Sequence, residues 1–334
     1  MNLHSISRKS ITALGLCSGG LDSILAGVLL RNQGIQVQWI CFETPFFNAD
    51  KAKKASQQTG IPLLIQNITP IYLEMLRYPR QGYGKYMNPC MDCHALMFKC
   101  AGNQILQTNA HFLFSGEILG QRPMSQTRPS LNYVEKHSGF KGYILRPLCA
   151  QNLEETIPEK KGWVDRSQLM NITGRSRKRQ IELAEQWGIT DYPNPAGGCL
   201  LTDQKYSIRL KDLFTNGPYR DDRDLYLLQW GRHFRLNETC KIIVGRTQND
   251  NEKMMLYYRP NEDILLNIVN YAGPTVLIPY GCDPQIVEQA AAISISYTRA
   301  PETQATAVKC TGPSGVSHMN VYPLSKEISR LLMI

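Results

Sequence analysis

The chain has 334 residues, of which 43% are hydrophobic and 19% charged, and a formal net charge of +9. That length predicts two domains. The apolar content excludes a mostly disordered chain, and no apolar run approaches the roughly 18 residues of a membrane span. The positive charge points to a polyanionic partner, because Lys and Arg that neutralise phosphates supply most of the affinity for nucleic acid. The start, Met1 to Lys9, lacks an apolar signal core, so the expected location is cytoplasmic, with no membrane partner. The ten cysteines are then expected as thiols or metal ligands rather than structural disulfides.

In chain order, an apolar strand over residues 11–16 runs into Cys17-Ser18-Gly19-Gly20-Leu21-Asp22-Ser23 and then an apolar-periodic helix over 21–30. Strand, tight glycine turn and helix N-terminus together suit an anion. Glycines let the backbone approach a phosphate, the first helical N–H groups are unpaired, and the helix dipole favours negative charge. Ser18 and Ser23 add hydroxyl donors, and Asp22 serves either as an N-cap or as a reach to magnesium. Strands follow at 35–42, 61–65, 111–115 (running into Gly116-Glu117) and 143–148, with a helix over 49–59. Residues 120–142, polar and punctuated by Gly and Pro, read as a surface loop near the site. The alternation predicts an α/β, doubly wound, mostly parallel sheet with a nucleotide at the strands' carboxyl ends. A strongly basic helix is expected over 174–187. Beyond a boundary placed at 215/216, strands at 240–244, 254–258, 275–278 and 320–322 and a helix over 285–295 describe a smaller α+β domain, residues 216–334.

Asn88-Pro89-Cys90-Met91-Asp92-Cys93 sets two thiols at i and i+3 on one face of a helix, behind a Pro suited to a first helical turn. A helix N-terminus lowers thiol pKa, so both are expected to be poised as thiolates. A third thiol, Cys199, follows Asn194-Pro195-Ala196-Gly197-Gly198, where glycine exposes backbone N–H groups. Cys100 lies about 10 Å along the helix from Cys93 and reads as core. Cys17, Cys41, Cys149, Cys240, Cys282 and Cys310 read as buried small hydrophobes. Three cysteines without a fourth fit a [4Fe-4S] cluster with one open iron. Two alternatives stand beside it: a zinc with His94, and a metal-free route in which Cys199 carries a persulfide that Cys90 or Cys93 resolves.

The Ser18-Gly19-Gly20-Leu21-Asp22-Ser23 turn resembles the pyrophosphate loop of the PP-loop ATP pyrophosphatases. Ser115-Gly116-Glu117-Ile118-Leu119-Gly120-Gln121-Arg122-Pro123-Met124-Ser125-Gln126-Thr127 and Arg146-Pro147-Leu148 resemble segments of the tRNA 4-thiouridine synthetase family, and Cys199 falls where that family's catalytic cysteine is expected. The likeness covers about residues 10–205. Residues 241–252, Gly273-Pro274 and 294–299 resemble the NFACT-R domain, which is associated with RNA binding.

The resemblance implies an ATP-dependent tRNA sulfurtransferase. Ser18, Gly19, Gly20, Asp22 and Ser23 would hold the ATP phosphates with Mg2+ bridging, and backbone around Leu16 and Phe42 would bind adenine. Gly116 and Gln121 would join the cofactor-binding set, and Glu117 and Gln121 would also line the substrate side. A uridine carbonyl oxygen of tRNA would be adenylated, releasing pyrophosphate, and sulfur from sulfide or a persulfide donor would then displace AMP. Arg122, Arg128, Arg146, Arg175, Arg177, Lys178 and Arg179 are candidate phosphate contacts. Two other classes stand beside this reading. One is a PP-loop ligase amidating a small carboxylate, whose acceptor calls for neither reactive cysteines nor a basic helix. The other is an RNA-binding or sulfur-carrier protein without catalysis, against which intact Ser18, Asp22 and Ser23 speak.

Overall fold

The computed structural model describes residues 11–194, 198–217 and 219–334. The N-terminal stretch and Pro195, Ala196 and Gly197 of the third cysteine's motif lie outside them. The chain divides into two compact units that meet in sequence between Thr202 and Asp203.

The first unit runs β1 (Thr12–Leu16), α1 (Leu21–Asn32), β2 (Gln36–Glu43), α2 (Asp50–Thr59), β3 (Leu63–Asn67), α3 (Thr69–Arg77), α4 (Cys90–Asn103), α5 (Ile105–Thr108), β4 (Phe112–Ser115), α6 (Arg128–Ser138), β5 (Ile144–Leu145), α7 (Ile157–Lys160) and α8 (Lys178–Gln186). Among the described residues its sheet has five strands in the order β3-β2-β1-β4-β5, all pairs parallel. Helices bury both faces of such a sheet, so its central strands read as continuous apolar runs rather than alternating ones. Phe112, Leu113 and Phe114 of β4 are fully buried. Strand order reverses between β1 and β4, and an open α/β sheet binds its ligand in the crevice at that switch point. The glycine turn after β1 and Gly116-Glu117 after β4 both open there.

Three local expectations need correcting. Residues 120–142 are not all loop: α6 starts where Thr127 accepts from Ser130 N–H and Pro129 fills the first turn, and it ends at Gly139 in the left-handed conformation. The strand expected over 143–148 stops after Leu145, because Pro147 offers no N–H and Cys149 N–H turns back to Arg146 O at 3.0 Å. The basic run 174–177 precedes α8, with Arg177 at its N-cap.

The second unit runs α9 (Gln204–Asn216), α10 (Asp222–Leu227), β6 (Arg232–Arg235), β7 (Lys241–Val244), α11 (Gln248–Met255), β8 (Ile264–Ile268), β9 (Val276–Ile278), α12 (Pro284–Ile295), β10 (Thr306–Gly312), β11 (Gly315–Val321) and α13 (Lys326–Leu331). Its sheet, six strands among the described residues, has the order β11-β10-β8-β9-β7-β6 and pairs antiparallel throughout. The α12 side chains Val287, Ala290, Ala291 and Ile293 pack in one core with Ile242, Val244, Leu266 and Val276 from the strands.

The units divide earlier than the 215/216 boundary expected from composition, because α9 is bonded to α10 and the turn after it. Tyr206 OH donates to Leu225 O at 3.0 Å, and Arg209 donates to Leu228 O and Gly231 O at 2.7 and 3.0 Å. Residues 254–258, expected as a strand, are the end of α11 and a turn, and β8 supplies the strand instead. No helix among the described residues is long and apolar enough to cross a membrane.

Candidate active site

The glycine turn is shaped by crowding. Gly19 has φ +70°, and a Cβ there would stand 2.2 Å from the Lys51 carbonyl carbon of α2; neither the backbone conformation nor the space admits a side chain. Across the switch point, a Cβ on Gly116 would stand 2.4 Å from the Asp22 carbonyl carbon. Gly116 thus lets the β4 exit close onto the first turn of α1.

No side chain caps α1; its N-cap is Gly20, which removes the capping role, one of the two offered for Asp22. Ser23 is buried and donates its hydroxyl to Gly20 O at 2.7 Å, so that group braces the turn rather than pointing outward. Ser18 is exposed and accepts from Gly20 N–H at 3.4 Å. Asp22 Oδ2 accepts from Gln121 Nε2 at 3.0 Å, while its buried Oδ1 has no protein partner. Burial raises the Asp22 pKa, opposed by Gln121, Arg177, Gln180 and Arg122. An unpartnered carboxylate oxygen at an uncapped helix N-terminus suits one hard divalent cation alongside phosphate. Leu16 ends β1, paired with Ile40 and Ser115, and Phe42 lies near the end of β2, paired with Gln66. Both backbones therefore flank the turn at the strands' carboxyl ends.

Cys90 opens α4, with Pro89 at its N-cap rather than inside the first turn. Cys93 accepts from the buried Tyr72 hydroxyl at 3.6 Å, and Cys90 Sγ accepts from Asn88 Nδ2 at 3.1 Å. Cys199 is fixed from both sides. Leu200 N–H donates to Phe46 O at 3.0 Å, and Thr202 donates its hydroxyl to Cys199 O at 2.7 Å. Phe46 and Phe47 pack on Tyr72 with ring centroids 5.6 and 5.3 Å away. Tyr72 links the two segments, its hydroxyl on Cys93 and its ring on Phe46, whose carbonyl holds Leu200; burial, then the Cys93, Cys199 and Cys90 charges, push its phenol pKa well up.

The expected thiolate character fails at Cys93. Burial there, with the Cys199, Cys90 and Asp92 charges around it, outweighs the helix N-terminus and raises the thiol pKa. Burial likewise pushes Cys199 up to about 11. Cys100 is buried, in line with its reading as core. Among the described residues no three His, Cys, Asp or Glu side chains already stand where they would hold a metal ion. The three thiols have the donor chemistry for a cluster with one open iron, but the side chains as placed are not a ready-made cluster site, with Tyr72 and Asn88 on two of the sulfurs.

Two connections join the thiols to the turn. The α2 backbone at Lys51 meets Gly19, and a Cβ on Gly198, beside Cys199, would lie 3.8 Å from Lys51 Nζ. His94, next to Cys93, has Nδ1 2.7 Å from Glu117 Oε1, and Glu117 follows the glycine that abuts Asp22. Glu117 also accepts from Arg146 Nε at 3.0 Å and from Ser115 Oγ at 3.1 Å. Arg146 additionally donates to Glu135 at 2.6 Å and is buried, so it braces the sheet and is not the phosphate contact expected. Despite burial, which raises it, the Glu117 pKa falls to about 2 under Arg146 and His94.

Sequence reasoning missed Tyr72, Gln180 and the Glu117–Arg146–Glu135 cluster. It also missed the role of Asp92, whose carboxylate accepts from Gln81 N–H at 2.9 Å and Tyr133 OH at 2.6 Å and pins α4. The pairing of Glu117 with Arg146 joins residues far apart in the chain and leaves no local pattern. Gln180 is fully buried beside Asp22, with no hydrogen bond from its amide within 3.5 Å; a polar residue at an apolar position of the α8 periodicity was the available signal.

Residues 9–162 match the family model described as thiamine biosynthesis protein (ThiI), and residues 231–330 match the NFACT protein RNA binding domain. A probable tRNA sulfurtransferase of Staphylococcus epidermidis is 30% identical over 152 residues, covering 44% of this chain and 36% of that protein. The chain thus aligns with about a third of the length of the curated relatives it matches. A crystal structure of a 4-thiouridine synthetase–RNA complex with bound ATP is 19% identical and covers 53% of this chain and 41% of its own, with a TM-score of 0.36. The C-terminal structure of the fibronectin/fibrinogen-binding protein from Streptococcus suis is 11% identical and covers 48% of this chain and 79% of its own, with a TM-score of 0.27.

Proposed function

We propose that the chain is an ATP-dependent tRNA sulfurtransferase that replaces a uridine carbonyl oxygen by sulfur, with 4-thiouridine as the product. One observation carries the reading: the uncapped, glycine-shaped helix N-terminus shares one unit with Cys90, Cys93 and Cys199, Tyr72 bonding Cys93 and packing on the Phe46 that holds Leu200 beside Cys199, and Lys51 and His94–Glu117 join the two parts. The match of residues 9–162 to the ThiI family model supports it, as does the RNA-binding match of residues 231–330.

The turn at Ser18, Gly19 and Gly20 receives the ATP phosphates on backbone N–H groups, and Asp22, steadied by Gln121, supplies an oxygen for Mg2+ beside them. Leu16 and Phe42 offer backbone to the adenine. A flipped-out uridine presents its carbonyl oxygen to the α-phosphate, pyrophosphate leaves, and sulfur then displaces AMP from the adenylated base. Held by Cys90, Cys93 and Cys199, a [4Fe-4S] cluster would supply an open iron for hydrosulfide. Without it, Cys199 delivers sulfur as a persulfide and Cys90 or Cys93 closes a disulfide.

Anaerobic reconstitution with iron and sulfide, followed by mass spectrometry of tRNA nucleosides after incubation with ATP, tests both layers. A brown chromophore lost in Cys90→Ala, Cys93→Ala and Cys199→Ala supports the cluster. Thiolation without any chromophore leaves the persulfide route. Absence of thiouridine and of pyrophosphate release under every sulfur supply refutes the enzyme itself.

A further inference from the structure

The three segments that resemble the NFACT-R domain, 241–252, Gly273-Pro274 and 294–299, are far apart in the chain, and the second unit brings all of them to one cavity. Gly245, Arg246 and Asn251 reach it from the end of β7 and the first turns of α11, Gly273 from the stretch before β9, and Tyr297 from the turn after α12. Arg232 of β6 adds a further wall. The volume is about 330 Å³, at the low end of ligand cavities, which run to roughly 300–1,000 Å³.

The walls are pinned to one another. Gly245 N–H donates to Thr275 O at 3.0 Å, and Asn251 Oδ1 accepts from Thr275 N–H at 3.4 Å. A Cβ on Gly273 would stand 2.7 Å from Ile268 Cδ1 and 2.8 Å from Thr298 Cγ2, so glycine lets that stretch lie close. The charged side chains of the wall are Arg232 and Arg246, and no carboxylate lines it. Asp250, buried and off the wall, accepts from Arg246 Nε and Nη2 at 2.6 and 3.1 Å. That pair orients the guanidinium and leaves Nη1 without a partner among the described residues. Arg232 forms no ion pair among them, and its guanidinium lies 4.6 Å from the Tyr297 ring centroid. Thr247 caps α11 itself, accepting from Asp250 N–H at 3.2 Å, so the arginines rather than the helix end supply the positive field. The other cavity of this unit, about 280 Å³, carries Asp224 and Asp283 beside its cations and suits a polyanion less.

Resting on the reading of the chain as a tRNA sulfurtransferase, we propose that this cavity grips one nucleotide from a single-stranded part of the tRNA. Arg232 and Arg246 Nη1 hold its backbone phosphate. The Arg232–Tyr297 stack offers a planar surface to its base, and guanidinium and aromatic planes stack unpaired bases of any identity. A paired base inside an A-form duplex presents no open face to such a stack. Binding of this kind tolerates sequence, so selection of the uridine stays with the first unit.

Fluorescence anisotropy of an unmodified tRNA transcript, titrated with the full chain across a salt series, tests this. Arg246→Gln would leave the buried Asp250 unpaired, so Arg232→Gln, which breaks no ion pair, is the first variant and Tyr297→Ala the second. Thermal midpoints show that both remain folded. Arg232→Gln should weaken tRNA binding about ten-fold and lower the salt slope by about 0.7–0.9. Tyr297→Ala should weaken it about ten-fold with the slope unchanged, because a stack carries no counterion release. Lys326→Gln on α13, off the cavity wall, makes the same charge change elsewhere in the unit. An Arg232→Gln affinity within about two-fold of that control overturns the proposal, as does a wild type that binds no tRNA. Free uridine monophosphate is titrated in parallel: if the variants lose it yet keep tRNA, the cavity serves a free nucleotide and the proposal falls. Transcript that binds as expected but gains no thiouridine and releases no pyrophosphate refutes the enzyme reading instead and leaves this site standing.

Discussion

Glu117 lies between the glycine turn and the thiol helix, and its replacement by Gln keeps its shape while removing the charge that faces Arg146 and His94. In the folded chain its pKa falls from 4.5 to about 2, a difference of about 3 kcal/mol between folded and unfolded states. Breaking one partner of a buried pair costs about 3–5 kcal/mol, because Arg146 would keep its burial with Glu135 alone as counter-charge. A carboxylate whose pKa is depressed on folding stabilises the protein above its unfolded pKa, and that contribution drains away as pH falls towards the folded value. The gap between wild type and Glu117→Gln should therefore be full near neutrality and shrink between pH 4.5 and about 2. Urea unfolding followed by tryptophan fluorescence measures it; a Trp230→Phe background leaves Trp39, Trp163 and Trp187 as reporters of the first unit. A variant within about 0.5 kcal/mol of wild type at neutral pH, or a gap that stays constant through the acid window, would refute this account of Glu117.

Asp22→Asn keeps the acceptor for Gln121 but removes the charge that an Mg2+ ion would meet, and should lower pyrophosphate release in the presence of ATP and tRNA by about 100-fold; an unchanged rate removes Asp22 from the site. In the second unit, Arg223 makes a bidentate bond to Asp263 at 2.9 and 3.0 Å with both groups buried. Arg223→Ala should destabilise that unit by about 3–5 kcal/mol and leave the first unit's transition in place; differential scanning calorimetry resolves which transition moves.

The first unit is legible because its signals are local. A glycine turn between an apolar strand and an apolar helix specifies one handed connection, and each repetition adds a parallel strand to the same sheet. Strand ends are less legible there, and α6 is hidden, because Thr127 and Pro129 mark a helix start inside a stretch whose average composition is polar. In the second unit the half-exposed strands carry weaker patterns. Met254-Met255-Leu256-Tyr257-Tyr258 has strand-like composition, yet Thr247 caps α11 and carries the helix through Met255, so a cap outweighs propensity.

At the candidate site the residue types are readable, but their protonation is not. By spacing alone Cys90 and Cys93 should respond alike to a helix N-terminus, which stabilises a thiolate only while the sulfur stays solvated. Cys93 lies three residues further along α4, under the Tyr72 hydroxyl, and the nearby Cys199, Cys90 and Asp92 add to the cost of ionising it. Burial in this way holds Cys93 and Cys199 as neutral thiols until a partner offsets the cost of the thiolate. A cationic metal centre would do that by binding the thiolate and releasing its proton. The raised pKa of Cys93 and Cys199 therefore disfavours a free thiolate as the resting state of either residue, so that a persulfide route must deprotonate the thiol in the step itself, whereas a bound cationic metal would offset that cost directly.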